Sequence, residues 1–228
     1  MTTTALHREM YTEAEAARLL RLSPSTLHYW LEGGVRRSRT YQPIIRPEPK
    51  GRRADVTWAE FVEASLLKQY RRDANVPMRE LRTFVEVLRR SLDVPYPLAH
   101  KRPFVTSGRS LVMDAQRQAD LPGDWWLVAE ASNQLTLLST ADAFYRRVIW
   151  DDDVAGGWRI AGEESPVVID PDVRFGRPQI AGISTEVIWE HKTAGESDEE
   201  IAEDFGLTEG QVYWALAYEA DSRTSRAA

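Results

Sequence analysis

The chain has 228 residues, 43% of them apolar and eight of them Trp, which is enough for more than one hydrophobic core. It contains no Cys, which excludes disulfides, thiolate metal sites and thiol catalysis. The net charge of −6 is unevenly spread: residues 1–120 carry 21 Lys and Arg against 14 Asp and Glu, a net of +7, whereas residues 121–228 carry 8 against 21, a net of −13. Such asymmetry points to a polyanion-binding part joined to a part with another task. The opening MTTTALHREM has neither a basic n-region nor an apolar h-region, and no apolar run reaches the roughly 18 residues needed to cross a bilayer. A cytoplasmic protein is expected.

In chain order, YTEAEAARLL begins with a capping box, Thr12 with Glu15, and continues with Ala16, Leu19 and Leu20 at helical spacing. The short link RLS leads to a second helix, SPSTLHYWLEGG, in which Ser23 is the N-cap, Pro24 the first helical residue and Gly33-Gly34 the stop. Two short helices joined this tightly have the form of a helix-turn-helix. Leu27, Trp30 and Leu31 make the buried stripe of the second helix, and Ser25, His28, Tyr29 and Glu32 fall on the opposite face. Ser25, Thr26, His28 and Tyr29 are therefore the candidate DNA contacts of a recognition helix.

The next stretch, VRRSRTYQPIIRPEPKGRRADVTW, carries seven Arg or Lys between Arg36 and Arg53 against one acid, Glu48. TYQPII and RADVTW have strand character around the turn PEPKGR, so a basic β-hairpin is expected, with Arg36, Arg37, Arg39, Arg46, Lys50, Arg52 and Arg53 as candidate phosphate contacts. A second capping box, Thr57 with Glu60, opens the helix WAEFVEASLLKQYRR, and Leu81, Phe84, Val85 and Leu88 mark another. Residues 11–92 resemble a MerR-type winged helix-turn-helix in the order of these parts. Ser25 and His28 stand where that family usually has Arg, which shifts the weight of DNA contact to the Arg-rich wing. The family's metal-sensing cysteines are absent.

From Asp93 to Glu164, PYPLAHKRP reads as a linker, PFVTSGRSLVMD and DWWLVAEASNQLTLL as short strands, TADAFYRRVIW as helix or strand, and WDDDVAGGWRI as a hairpin with an acidic loop. A small β-rich module is expected. Asp151, Asp152 and Asp153 lack an accompanying His or spaced carboxylate, and a solvated turn explains them better than a metal. The four His show no ligand spacing, and no nucleophile elbow or phosphate loop is present, so neither metal, cofactor nor enzymatic activity is expected.

Residues 165–221 read as a short β-arm (Val167–Ile169, then Gln179–Ile180) followed by three helices, capped by Ser184, by the box Ser197 with Glu200, and by Thr208 with Gln211. The last two again have helix-turn-helix spacing. Between Glu196 and Asp221, however, there are nine acids and no Lys or Arg, a surface that repels DNA. A protein contact is the remaining use, and Trp189, Val212, Tyr213, Trp214, Leu216 and Tyr218 are its candidate residues, in a dimer or with another protein.

This segment resembles the domain-of-unknown-function 433 family, whose frame is matched by Asp170-Pro171, Val173, Gly176, Pro178, Ile180, Gly182 and Val187. Such modules are similar to VapB-type antitoxins, which implies a PIN-like ribonuclease toxin as partner. The resemblances together imply a homodimeric, DNA-binding antitoxin that represses its own operon, with Arg223 and Arg226 on a flexible tail (222–228) able to reach the toxin's carboxylates. The alternatives are a MerR-like regulator whose middle module (93–164) binds a small molecule and whose C-terminal domain dimerises, and, more distantly, a metal-assisted hydrolase. The expected fold class is α+β, mostly α: winged helix-turn-helix, β-rich middle module, and trihelical C-terminal domain with a β-arm.

Overall fold

Thr12 and Glu15 close their capping box, the Thr12 hydroxyl accepting the Glu15 amide and the Glu15 carboxylate accepting the Thr12 amide at 3.0 Å. The computed structural model describes residues 3–227 apart from 37, 52–54, 74–77, 122, 124, 125, 132 and 133, and of residues 3, 4, 36, 70–73, 106, 131 and 225–227 it describes the backbone alone. The box opens helix α2 (Glu13–Leu20), which follows a short α1 (Thr3–Leu6) and strand β1 (Glu9–Tyr11). Ser23 caps α3 (Pro24–Glu32) through the Thr26 amide, with Pro24 at the position where a missing N–H costs nothing. Strand β2 (Gly34–Arg36) turns into β3 (Arg39–Tyr41), and β4 (Val56–Thr57) leads to α4 (Trp58–Asp73) and α5 (Met78–Leu92).

Trp30, Leu27 and Leu31 of α3 are buried, as their spacing predicts, together with Ile44, Ile45, Trp58 and Phe61. Trp58 stacks on Phe61 with ring centroids 5.7 Å apart, and its indole N–H donates to the Ala155 carbonyl at 2.6 Å. Leu81, Phe84, Val85 and Leu88 line the buried face of α5.

The expected long hairpin is not formed. β2 pairs with β3 in a tight hairpin (Val35 opposite Thr40), while Val56 and Thr57 pair with β1. The reason is local: Ser38 takes a left-handed φ of 62°, which turns the chain within VRRSRTY, and Ile44 to Arg46 then run through the core.

The middle also differs from the β-rich expectation. PFVTSGRSLVMD forms single 3₁₀ turns and helix α6 (Arg109–Gln118). Val112, Ala115 and Gln116 face inward on α6, and the Gln116 amide accepts the Val128 N–H and donates to the Val128 carbonyl, both at 2.9 Å. A hairpin, β5 (Val128–Ala131) with β6 (Gln134–Leu137), and helix α7 (Ser139–Arg147) follow. Asp151 to Asp153 lie at the turn between β7 (Val148–Asp151) and β8 (Val154–Arg159). Among the described residues no group of three or more His, Asp or Glu is placed to hold a metal ion.

The chain divides into two compact units, Met1–Arg146 with Trp150–Ala155, and Arg147–Ile149 with Gly156–Ala228. In the second, β8 pairs antiparallel with β9 (Val168–Ile169), β9 with β10 (Gln179–Ile180), and β10 with β11 (Ile183–Ser184). Helices α8 (Thr185–Ala194), α9 (Asp198–Phe205) and α10 (Glu209–Ala227) follow, with Gly195 and Gly206 ending the first two in left-handed caps. Their core is Val167, Ile180, Ile188, Ile201, Val212, Ala215 and Tyr218. Among the described residues no helix is long and apolar enough to cross a membrane.

Candidate nucleic-acid interface

Helix α3, the candidate recognition helix, is fixed on three sides. On one, His28 Nδ1 lies 2.9 Å from a Glu13 carboxylate oxygen, tying α3 to α2. On the second, the Tyr29 ring meets the Tyr41 ring edge-on at 6.3 Å, and the Arg82 guanidinium of α5 stands 5.2 Å from the Tyr29 centroid and 5.3 Å from that of Tyr41. Arg82 also donates from Nε to the Gln42 carbonyl at 2.8 Å, so one side chain ties α5 to both α3 and the β2–β3 hairpin. Gly33 permits that hairpin: at φ 72° a Cβ here would lie 2.2 Å from the Tyr41 carbonyl oxygen.

The third side is a buried polar cluster. The amides of Ile44 and Ile45 both donate to the Trp30 carbonyl, at 2.9 and 3.1 Å, drawing the chain after the hairpin beneath α3. There the Arg46 guanidinium donates two bonds of 3.0 Å to the two carboxylate oxygens of Glu60, and bonds Glu32 and the Asp55 carbonyl as well. Glu60 also accepts the Lys50 ammonium at 2.9 Å, the Tyr96 hydroxyl at 3.0 Å and the Thr57 amide of its own capping box at 3.0 Å. Burial alone pushes the Glu60 carboxyl up, but the Arg46 bonds and the Thr57 amide outweigh it and hold the group below the usual carboxylate range. Burial pulls Arg46 down, and its two carboxylate partners more than restore it. Tyr96 is pushed up, by burial first and then by the Glu60 charge.

Arg46 is therefore not a phosphate contact. Its side chain is fully buried, and freeing it would leave Glu60 charged and unpaired in the core. Glu32, expected on the outward face, instead turns its carboxylate toward the chain, accepting the amides of Gly51 at 2.8 Å and Lys50 at 3.3 Å. It thus fastens the basic loop to the end of α3. Of the other sequence candidates, Ser25 and Arg39 are exposed, and Thr26, His28 and Tyr29 are half-buried. The side chain of Lys50 is 38% exposed. Arg37, Arg52, Arg53 and the side chain of Arg36 lie outside the described residues. Sequence reasoning missed Glu32, Glu60 and Arg82 as organisers of this face. The signal available for Glu60 was its place in a capping box directly after a basic run.

In the acidic unit, Val212 and Tyr218 belong to the module's own core, which corrects their assignment to an interface. Leu216 packs against that core. Tyr213 remains 66% and Trp214 37% exposed. Arg223 is no flexible arm: it lies within α10, with its guanidinium 5.1 Å from the Trp189 ring centroid. The side chain of Arg226 lies outside the described residues.

Comparison with known proteins gives this geometry a family. The chain is 34% identical, over 98% of its length and 95% of the relative's, to the uncharacterized protein Rv2308 of Mycobacterium tuberculosis. It belongs to the same family. Residues 9–85 match the family described as "Putative DNA-binding HTH domain", and residues 167–218 match the protein family of unknown function DUF433. A second relative from Mycobacterium tuberculosis, named "Putative antitoxin VapB45", is 29% identical over 91% of this chain and 92% of its own. The crystal structure of Rv2018 from the same organism superposes with a TM-score of 0.74 at 26% identity, covering 93% of this chain and 99% of that one. The helix-turn-helix match contains the whole of α2, α3, the β2–β3 hairpin and, apart from Tyr96, the polar cluster beneath them.

Proposed function

We propose that this protein is a DNA-binding antitoxin, acting as a regulator and not as an enzyme. In this reading it represses its own operon and neutralises a PIN-like ribonuclease toxin. The observation that carries the reading is a helix-turn-helix whose second helix is bonded through Glu32 to the backbone of a basic loop at Lys50 and Gly51. The antitoxin name of a relative that covers nine-tenths of the chain supports the rest. The N-terminal part (11–92) is a MerR-like winged helix-turn-helix in which Ser25, Thr26, His28 and Tyr29 face the groove. Arg36, Arg37, Arg39, Lys50, Arg52 and Arg53 lie on phosphates. The segment 93–164 joins this reader to the acidic module 165–221, whose charge keeps it from DNA and leaves it for protein contacts. The protein binds two half-sites as a homodimer.

The test is binding of the full chain to the DNA upstream of its own reading frame across a salt series, with co-expression of the small protein encoded beside it. Operator-specific binding that weakens steeply with salt, and a stable complex that silences the neighbour's ribonuclease activity, are expected. Affinity that does not respond to salt, or a neighbour whose nuclease activity is untouched, overturns the corresponding half of the reading.

A further inference from the structure

Helix α10 has two stripes. Val212, Ala215 and Tyr218 turn into the module's own core. On the other side Gly210, Tyr213, Ala217, Ala220 and Thr224 are all exposed, spaced three and four residues apart, with Trp214 beside them. Alternating spacings of three and four are the seam of a helix pair. Gly and Ala on that seam let two helix axes approach to about 8 Å, the close end of helix packing. A helix serving its own domain alone has no need of an apolar outer face.

The charge distribution decides what covers it. Residues 210–218 contain no charged side chain, whereas α9 presents Glu199, Glu200, Glu203 and Asp204 to solvent. Two copies of so acidic a module repel through α9 but not through this stripe. An antiparallel pair opposes the two helix dipoles, and it needs nothing from Arg223, which Glu219 at 3.4 Å and the Trp189 ring hold within its own chain. A parallel pair would align both dipoles and set like charges side by side.

We infer that the exposed stripe of α10 is the two-fold homodimer seam, formed by antiparallel packing of α10 on α10 with Ala217 at the axis. This rests on the dimeric reading above and specifies it, leaving the acidic face of α9 for the other partner. Tyr213 and Trp214 flank the axis as its large anchors, as aromatic residues do at well-packed interfaces.

Sedimentation velocity of the full chain at micromolar concentration without DNA tests this. The parent should run as a dimer and Ala217→Glu as a monomer with unchanged far-UV circular dichroism, because position 217 is exposed in the single chain; its melting temperature should lose only what association adds, and so should not vary with protein concentration. The absence of Cys makes a second test clean. Under mild copper-phenanthroline oxidation, Ala217→Cys should give a disulfide-linked dimer and Gly210→Cys should not. A monomeric parent, or a dimer indifferent to Ala217→Glu, overturns the seam and leaves the stripe to a different protein. Cross-linking of Gly210→Cys as readily as Ala217→Cys overturns the antiparallel arrangement. No arm involves DNA, so its outcome is independent of operator binding.

Discussion

The Glu32 carboxylate accepts the amide of Gly51 at 2.8 Å across 19 residues of chain, joining the end of α3 to a loop that carries Lys50, Arg52 and Arg53 beyond the buried Arg46. A loop without this anchor spreads its cations over many positions, and ordering them on DNA then costs conformational entropy at binding. Glu32→Ala should therefore weaken DNA binding to all sequences about equally. Loss of a loop contact should also flatten the dependence of log affinity on log salt by about one unit for each phosphate no longer met. Fluorescence anisotropy across a salt series measures both. An unchanged slope and affinity would show that the loop does not meet phosphate.

Arg46 and Glu60 make the contrasting prediction. Arg46→Met leaves Glu60 buried with only Lys50, Tyr96 and the Thr57 amide as partners, and breaking a buried pair in this way costs about 3–5 kcal/mol. The double substitution Arg46→Met with Glu60→Leu should recover much of that loss. Urea denaturation reads the difference. The salt slope of DNA binding by the folded fraction should stay at the parent value, because Arg46 never reaches the duplex. A stable Arg46→Met with a flattened slope would return Arg46 to the DNA face.

This pair also shows why part of the site was hidden in the sequence. Composition ranks Arg46 with its neighbours, one cation in a basic run. Only the path of the chain separates it, since Ile44 and Ile45 bond the Trp30 carbonyl and carry Arg46 inside. Local signals were legible: the boxes at Thr12, Thr57 and Ser197 and the buried stripes of α3 and α5 stand where their spacing puts them. Pairing was not. The tight β2–β3 hairpin depends on a left-handed Ser38, and the partner of Val56 and Thr57 lies far back in the chain at β1. Helix α6 stands where PFVTSGRSLVMD suggests a strand, because that run stops at Asp114, short of Ala115 and Gln116, which complete the buried helical face begun by Val112. In α10 Val212 and Tyr218 look surplus to the three helices, but Val167, just before β9, and Ile180 of β10 share their core.

Tyr29 and Arg82 separate ring from hydroxyl. Arg82→Met removes a guanidinium that faces both Tyr29 and Tyr41, and each cation–π contact is worth about 0.5–1 kcal/mol at a partly exposed site. Stability should fall by roughly 1–2 kcal/mol, and DNA affinity should fall with it as α3 and the hairpin lose their common brace. Tyr29→Phe keeps the ring and with it the contacts to Tyr41 and Arg82. If the hydroxyl meets a phosphate, it costs about 1 kcal/mol of binding. Thermal melts and anisotropy titrations on both variants check this. A Tyr29→Phe protein that binds like the parent would remove the hydroxyl from the interface.

Glu63 makes the pH prediction for the N-terminal unit. It lies on the inner face of α4, where one carboxylate oxygen accepts the Leu98 amide at 2.9 Å and the other is buried without a hydrogen-bond partner among the described residues. Burial, only partly offset by the Arg89 charge and the Leu98 amide, pushes its pKa from 4.5 to about 8. The folded protein thus holds a proton here that the unfolded chain gives up above 4.5, so the folded state binds more protons throughout the interval between those values. Stability must then fall as pH rises from about 4.5 to about 8, by a few kcal/mol in order of magnitude, and level off beyond. Glu60, held low by Arg46, acts in the opposite sense and only at more acidic pH, where protonating it loosens the cluster. Glu63→Gln keeps the acceptor for Leu98 and cannot ionise. Chemical denaturation at pH 5, 6, 7 and 8 should show a falling stability for the parent and a nearly flat one for the variant, with the variant the more stable at pH 8. Parallel profiles would mean that Glu63 is already ionised in the folded protein at neutral pH.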